Sequence, residues 1–98
     1  MDVEFEDDTL QALESDSSYS SELELAVVKK FRKCMQIIRN APDERDFYAL
    51  KSLHFEKLKG NRDSQYSMRL NLQWRLILRI ERRNNGKTVV IISISDYH

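Results

Sequence analysis

Three runs of apolar residues in the C-terminal half constrain the fold more than any other feature of this sequence. In the first, residues 66–70, apolar side chains alternate with polar ones, and in the second, residues 74–80, Trp74, Leu76, Leu78 and Ile80 alternate with Arg75, Ile77 and Arg79. The third, residues 89–94, is nearly continuous and β-branched, which is typical of a central strand. Short polar segments at 71–73 and 84–86 separate the runs and favour hairpin turns. The sequence therefore predicts a three-stranded antiparallel meander.

A short strand and a helical turn are predicted near the start of the chain. Val3 and Phe5 alternate with acidic residues, which indicates a half-buried strand. Residues 9–13 favour a helical turn, and Thr9 is its predicted cap. The serine-rich residues 15–21 are expected to form a polar connector.

The clearest helical pattern covers residues 23–40. Its apolar side chains recur at three- or four-residue steps and so mark one buried face of a helix. Ser21 and Glu24 have the spacing of a capping box at the start of this helix. Pro42 is expected to stop the helix near Asn40.

The order of these elements predicts the fold class. A second short helix is predicted over residues 46–53, between the long helix and the strands. One strand, one or two helices and a meander make an α+β domain, which we expect to span residues 1–98 as a single unit. The expected architecture is a small antiparallel β-sheet with one or two helices packed on one face.

Charge is distributed unevenly along the chain, although 16 acidic residues balance 16 Lys and Arg. Residues 1–28 hold nine acids and no Lys or Arg, whereas residues 29–98 hold 16 basic residues and seven acids. The two parts therefore carry −9 and +9. A basic surface suits a polyanion or an acidic protein partner. The acidic segment can equally pack back onto the basic part, and both arrangements can hold together.

Several classes of protein are excluded by what the sequence lacks. It contains no P-loop, no serine-hydrolase elbow, no HExxH and no paired CxxC. It has no apolar run long enough to cross a bilayer, and its acidic start is unlike a secretory signal, so a cytoplasmic location is expected. Cys34 is expected to be a buried structural thiol. With one cysteine and two histidines, neither a metal site nor another cofactor is expected.

Groups able to transfer protons are concentrated in the last three residues, Asp96, Tyr97 and His98. A frayed polar terminus is the ordinary alternative for such a triplet. Arg75 and Arg79 fall on the same face of one predicted strand. They lie roughly 13 Å apart, too far to hold one phosphate together, so they either contact neighbouring phosphates or are solvated.

Further cations surround these candidates. Arg69 is expected to lie across a hairpin from Arg75, and Lys57, Lys59 and Arg62 form a basic loop that could approach a phosphate. A solvated turn is the alternative for that loop. Cleaving RNA requires a 2′-hydroxyl to be deprotonated, a phosphorane to be stabilised and a 5′-oxygen to be protonated. Cations beside a proton-transfer group can do this without metal.

The segment 53–98 resembles the plasmid-maintenance killer proteins, which are the HigB branch of the RelE/ParE toxin superfamily. The LKG-x-R element (58–62), the YS-x-R strand (66–69), the QWR step (73–75) and the terminal DYH follow in that family's order and at family-like spacings. About half of the chain carries this resemblance strongly. The first strand and the long helix agree in arrangement only. The resemblance implies a RelE-like fold.

The resemblance also implies a function. HigB-type toxins cut messenger RNA in the A site of the 70S ribosome and are held inactive by a HigA-like helix-turn-helix antitoxin. Operator DNA is contacted only through the complex with that antitoxin. Carried over by motif, Lys59 and Arg75 would bind the phosphate and stabilise its charge. Asp96, Tyr97 and His98 would supply proton transfer and orient the nucleotide, with His98 the favoured general acid or base.

Some family members have a histidine three residues before the LKG lysine. Here His54 lies five residues before Lys59 and Glu56 lies three before it, which favours a structural role for His54.

A basic surface would also dock the toxin on ribosomal RNA, although a solvated face is an equal alternative for the helix cations. The cations expected to contact RNA or the ribosome are Lys29, Lys30, Arg32, Lys33, Lys57, Arg62, Arg69, Arg79, Arg82, Arg83 and Lys87.

Two other functions fit the same pattern. A gyrase poison of the ParE branch would share the fold but use no nuclease site. A catalytically inactive module would serve only antitoxin binding and repression. The terminal DYH and the LKG lysine favour the nuclease, and no membrane partner is expected.

Overall fold

A computed structural model of the chain describes residues 1–16, 18, 22–60, 64–84 and 86–96. Within these residues the chain forms one five-stranded sheet and three α-helices. The strands are β1 (Asp2–Phe5), β2 (Glu56–Lys57), β3 (Gln65–Arg69), β4 (Trp74–Arg83) and β5 (Gly86–Asp96). The helices are α1 (Asp8–Ser15), α2 (Leu25–Asn40) and α3 (Arg45–Ala49).

The strand order across the sheet is β1-β5-β4-β3-β2. The predicted meander is confirmed, because β3, β4 and β5 pair antiparallel in sequence order. β5 is a central strand, as its continuous apolar run indicated, since β1 pairs with it in parallel on the other side. A register shift occurs after Ile77, which pairs with Ser93 whereas Leu78 pairs with Ile91. Ile92 is thus the extra residue of a β-bulge.

The three helices contribute to one hydrophobic core on a single face of the sheet. Phe31, Met35 and Ile38 of α2 are fully buried, and they belong to one cluster with Leu76 and Leu78 of β4. Because side chains alternate along a strand, these sheet residues share a face. The predicted α+β architecture, a mostly antiparallel sheet with helices packed on one face, is confirmed. No helix among the described residues is long and apolar enough to cross a membrane.

The helix starts differ from the predictions. Asp7, not Thr9, caps α1, since its side chain accepts hydrogen bonds from the Thr9 N–H (2.8 Å) and hydroxyl (2.6 Å). The capping box predicted for α2 is wrong, because the helix begins at Leu25 and the cap residue Glu24 makes no side-chain cap bond. Ser21 lies outside the described residues. Both errors arise because a polar side chain near a helix start fits several neighbouring cap positions.

The other helix boundaries follow the sequence closely. α2 ends at Asn40, as Pro42 predicted. The second predicted helix, over residues 46–53, is two pieces, α3 and a 3-10 turn over Lys51–Leu53.

Part of the acidic N-terminal segment packs onto basic side chains of α2. Glu14 of α1 accepts two hydrogen bonds of 2.7 Å from the guanidinium group of Arg39. Arg32 donates to the carbonyl oxygens of Leu13 (2.9 Å) and Asp16 (3.2 Å). The last turn of α1 is therefore held against α2 by arginines.

Candidate functional site

The sheet face opposite the helices carries most of the candidate residues. By strand alternation, this open face presents Ser67 and Arg69 of β3 and Arg75, Ile77 and Arg79 of β4. Ile77 is only 1% exposed, although no described helix covers it. Long side chains on the same face can shield it, since their aliphatic stems can lie along apolar surface while the charged heads stay in water.

One half of the open face is neutralised by ion pairs. Arg79 donates to Glu81 (2.7 Å) and Glu6 (3.3 Å), and Arg83 donates to Glu81 (2.7 Å) and Glu4 (2.8 Å). Hydrogen bonds from Arg83 and Arg79 lower the pKa of the Glu81 carboxyl. We call these five residues the paired half. The RNA contacts predicted for Arg79 and Arg83 remain predictions, and both guanidinium groups already bind carboxylates.

The other half of the open face holds two arginines side by side. Arg69 and Arg75 are direct partners in the β3–β4 register, as expected from the hairpin. Arg75 is 16% exposed and donates to the buried Ser67 hydroxyl (3.4 Å) and the His54 carbonyl (3.3 Å). Its guanidinium group also lies 3.6 Å from the Glu56 carboxylate. We call Arg69 and Arg75 the arginine pair.

His54 and Glu56 belong to this site, although the sequence analysis assigned them no catalytic role. His54 follows the 3-10 turn in the left-handed conformation (φ 46°, ψ 46°), and its ring Nε2 lies 3.1 Å from Arg69 Nη1. Glu56 enters because β2 pairs it with Ser67. The position of Glu56 three residues before Lys59 was a usable signal. No sequence signal marked the left-handed conformation of His54. The β2 strand that follows it has only two residues, which is too short to show alternation.

The end of β5 lies next to the arginine pair. Ser95 is the register partner of Arg75, and Asp96 is the partner of Trp74. The Asp96 carboxylate accepts a hydrogen bond of 3.1 Å from Gln73. The predicted roles of Tyr97 and His98 fall outside the described residues.

The predicted basic loop is partly strand, since Lys57 belongs to β2, and Lys59 follows beyond that strand, away from the arginine pair. The backbone N–H of Leu58 donates to the Gln65 carbonyl (2.9 Å), which aligns Leu58 with a residue four positions from Arg69. Four strand residues span roughly 13 Å. Lys59, the next residue, is exposed, as is Lys57. The structure thus brings Arg69 and Arg75 together but sets the Lys59 backbone apart from them, and Arg62 lies outside the described residues.

The helix cations occupy a different surface. α2 packs on the opposite face of the sheet, so its cations do not share a face with the arginine pair. Lys29 and Lys33 are exposed and Lys30 is half-buried. Two nitrogens of Arg32, Nε and Nη2, instead donate to backbone carbonyls of the α1 region. Lys87, another predicted contact, donates instead to Glu44 (2.6 Å) and Asp43 (3.3 Å). Arg82 is exposed.

Comparison with known proteins gives a family match over nearly the whole chain. The model of the RelE-like toxin of the type II toxin-antitoxin system HigB matches residues 3–98. None of the curated proteins matches the sequence.

Solved structures share the fold at low sequence identity. A YoeB/ParE toxin from Agrobacterium tumefaciens is 19% identical with a TM-score of 0.60, and the match covers 100% of both chains. The toxin in a YoeB-YefM complex from Staphylococcus aureus is 21% identical with a TM-score of 0.59, over 100% of this chain and 97% of that one. A YoeB dimer from the same organism is 23% identical with a TM-score of 0.53, at the same coverage.

Proposed function

We propose that this chain, which belongs to the HigB-like family of RelE-like type II toxins, is an endoribonuclease that cuts messenger RNA in the ribosomal A site. The cut would inhibit translation. The observation that supports this most is the arginine pair, Arg69 and Arg75, which lies on an open sheet face beside the end of β5. An open face can accept a polymer, and guanidinium groups match the geometry of phosphate oxygens.

In the proposed reaction the RNA supplies its own nucleophile. The 2′-oxygen attacks the adjacent phosphorus and the 5′-oxygen of the next nucleotide leaves, giving a 2′,3′-cyclic phosphate and a 5′-hydroxyl. One proton leaves the 2′-hydroxyl and one reaches the departing oxygen, so no cofactor is consumed. Arg75 stabilises the negative charge that develops on the phosphorane. Arg75 is suited to this because its Nη1 already lies against Ser67, His54 and Glu56, so the side chain needs little reorganisation. Lys59 would contribute to stabilising the same charge only through its extended side chain, since its backbone lies roughly 13 Å or more from the arginine pair.

Proton transfer is assigned to the end of the chain. His98 is the proposed general acid or base, Asp96 stabilises its protonated form, and Tyr97 orients the nucleotide. Glu56 is a second group proposed to accept a proton, since its carboxylate is about half exposed and lies beside the arginine pair, 3.6 Å from Arg75. A base at Glu56 and an acid at His98 would divide the two proton transfers between two residues.

The proposed partners are the 70S ribosome with its messenger RNA, and an antitoxin. The similarly folded Staphylococcus aureus YoeB was solved with YefM, and we extend toxin–antitoxin pairing to this chain with a HigA-like helix-turn-helix antitoxin. Operator DNA would be contacted only through that complex. The site of action is then the cytoplasm, where ribosomes are, and no membrane is involved.

Docking on ribosomal RNA is assigned to exposed cations away from the arginine pair. Lys29 and Lys33 on α2 and Lys57 on β2 are exposed and make no ion pair with other described residues. Contacts of this kind release counterions from the polyanion, so binding should weaken steeply as salt rises. Arg62 belongs to the same proposed contact set.

The chemistry is tested by replacing the nucleophile. A 70S complex is programmed with messenger RNA, and with the same RNA carrying a 2′-deoxynucleotide on the 5′ side of the cut. We expect the natural RNA to be cut with a 2′,3′-cyclic phosphate end and the deoxy-substituted RNA to stay intact there. Cleavage of the deoxy position would overturn the 2′-hydroxyl mechanism, and no cleavage of either RNA would overturn the nuclease assignment.

A further inference from the structure

The arginine pair needs an explanation, because it places two cations directly opposite each other. Like charges at facing positions of neighbouring strands are destabilising. Arg69 and Arg75 occupy such positions in the β3–β4 register. Both side chains therefore need acceptors that hold them in place.

His54 supplies an acceptor to each arginine. Its backbone carbonyl accepts from Arg75 (3.3 Å), and its ring Nε2 lies 3.1 Å from Arg69 Nη1. Arginine has no acceptor and stays protonated, so Nε2 must offer its lone pair. One residue thus binds two cations through two different groups.

The backbone at His54 makes this double contact possible. Its left-handed conformation is uncommon for a residue with a side chain. The flanking residues Leu53 and Phe55 are buried, and the Phe55 ring stacks on Tyr66 of β3 with centroids 5.1 Å apart. His54 itself is exposed. It is therefore an exposed residue on a rigid, buried support.

We propose that His54 is a positioning residue that holds Arg69 and Arg75 as one binding site for a phosphodiester. The inference rests on the proposed function, since it takes the arginine pair as the RNA contact. The ring orients Arg69 and the carbonyl orients Arg75, and both side chains lie on the open face. Glu56 compensates part of the positive charge from the β2 side. A single phosphate then meets two preset guanidinium groups.

Variants at His54 separate the ring from the backbone. Glycine adopts the left-handed conformation readily, so His54→Gly keeps the carbonyl contact to Arg75 and removes only the ring. Glutamine carries an acceptor at about the reach of Nε2, so His54→Gln keeps a partner for Arg69. Arg69→Gln removes the group on which the ring is proposed to act.

The experiment measures the affinity of the full chain for a 2′-O-methyl oligoribonucleotide at low salt, which requires neither cleavage nor the ribosome. We expect His54→Gly to weaken binding about fivefold, the size of one hydrogen bond, and His54→Gln to restore it to within about twofold. In the Arg69→Gln background, His54→Gly should change affinity less than about twofold, because the ring has lost its partner.

The remaining outcomes overturn either the positioning role of His54 or the phosphodiester site. Equal affinity of His54→Gly and wild type, or an undiminished effect of His54→Gly in the Arg69→Gln background, would overturn the positioning role. No binding of the oligoribonucleotide by the wild type would overturn the phosphodiester site itself. If His54→Gly fails to fold, His54→Asn replaces it, since asparagine also tolerates the left-handed conformation. Intact binding with no cleavage on the ribosome would count against the proposed function and leave this inference standing.

Discussion

Glu6, directly after β1, and Arg79, on β4, form an ion pair of 3.3 Å although 73 positions separate them in the sequence. The contact reaches over β5, which lies between these two strands in the sheet. Glu4 and Arg83 are joined in the same way. The acidic N-terminal segment therefore neutralises arginines of the open face, and it leaves the arginine pair on the other side of that face.

Removing the carboxylates of Glu4 and Glu6 should enlarge the basic surface of the open face. We expect Glu4→Gln combined with Glu6→Gln to raise affinity for single-stranded RNA and to steepen its salt dependence. Each released arginine that gains a phosphate adds about 0.7 to the slope of log K against log salt. Stability should change little, because exposed ion pairs contribute little to it. Binding of 2′-O-methyl RNA over a salt series measures the slope.

Asp2→Asn is the matched control for this charge change. Asp2 lies on the same strand and makes no ion pair with the described residues. It should leave the slope nearly unchanged. A steepening in Asp2→Asn about half that of the double variant, one charge against two, would mean that net charge alone, rather than release of Arg79 and Arg83, determines the effect.

Arg75 should tolerate lysine poorly. The contacts to Ser67, His54 and Glu56 are all made by Nη1 of Arg75. A lysine has one ammonium group on a flexible stem and lacks the planar guanidinium that matches phosphate oxygens. We expect Arg75→Lys to lower the rate of ribosome-dependent cleavage about 100-fold, the size typical of losing one preorganised donor. Single-turnover rates at saturating toxin measure this effect.

Arg79→Lys is the control for the same substitution on the same strand. Arg79 forms ion pairs with Glu6 and Glu81. Arg79→Lys should therefore slow cleavage much less than Arg75→Lys does. A larger effect at Arg79 would place the reaction over the paired half and contradict the proposed site.

Arg32 and Lys33 are neighbours on α2 with different expected roles. Arg32 holds the backbone of the α1 region through Leu13 and Asp16. Arg32→Ala should lower the free energy of unfolding by about 1–3 kcal/mol, since the part-buried hydrogen bond to the Leu13 carbonyl loses its charged donor. Lys33→Ala should leave stability unchanged and weaken binding to the ribosome. Urea unfolding measures stability, and pelleting with ribosomes measures binding. A loss of stability in Lys33→Ala with unchanged stability in Arg32→Ala would contradict these roles.

Cys34 should make stability fall at alkaline pH. Burial raises the pKa of this thiol from 9.0 to about 11. Above pH 9 the unfolded chain loses the thiol proton while the folded chain keeps it, so rising pH favours unfolding. Between pH 9 and 10.5 the wild type should lose about 1.5 kcal/mol more than Cys34→Ala. Chemical unfolding at several pH values measures both slopes, and parallel slopes would show that the thiol does not contribute.

The sheet was predictable because its signals are local. Alternation over 74–80 and the continuous run over 89–94 specify strands and burial directly. The register between Arg69 and Arg75 also followed, since a short hairpin fixes which residues face each other. Cap residues were not predictable to the residue, because Asp7 and Thr9 are both suitable cap types and only their geometry distinguishes them.

The candidate site was predictable only in part. Motif resemblance selected Arg75 and Lys59, yet the structure sets the backbone at Lys59 roughly 13 Å or more from the arginine pair. The contacts of Glu4 and Glu6 could not be read from the sequence, because they depend on the parallel pairing of β1 with β5. His54 was missed for a similar reason, since a left-handed residue after a short turn leaves no periodic pattern.

The central claim is that this chain cleaves messenger RNA on the ribosome through its C-terminal residues. The most direct measurement maps the RNA ends formed by wild type and His98→Ala, with messenger RNA in the A site of a 70S complex and with the same RNA free. We predict cuts at the A-site codon by the wild type only on the ribosome, and at least about a tenfold slower reaction in the variant. Equal cleavage of free RNA, an undiminished rate in His98→Ala, or no cleavage by the wild type would contradict the claim.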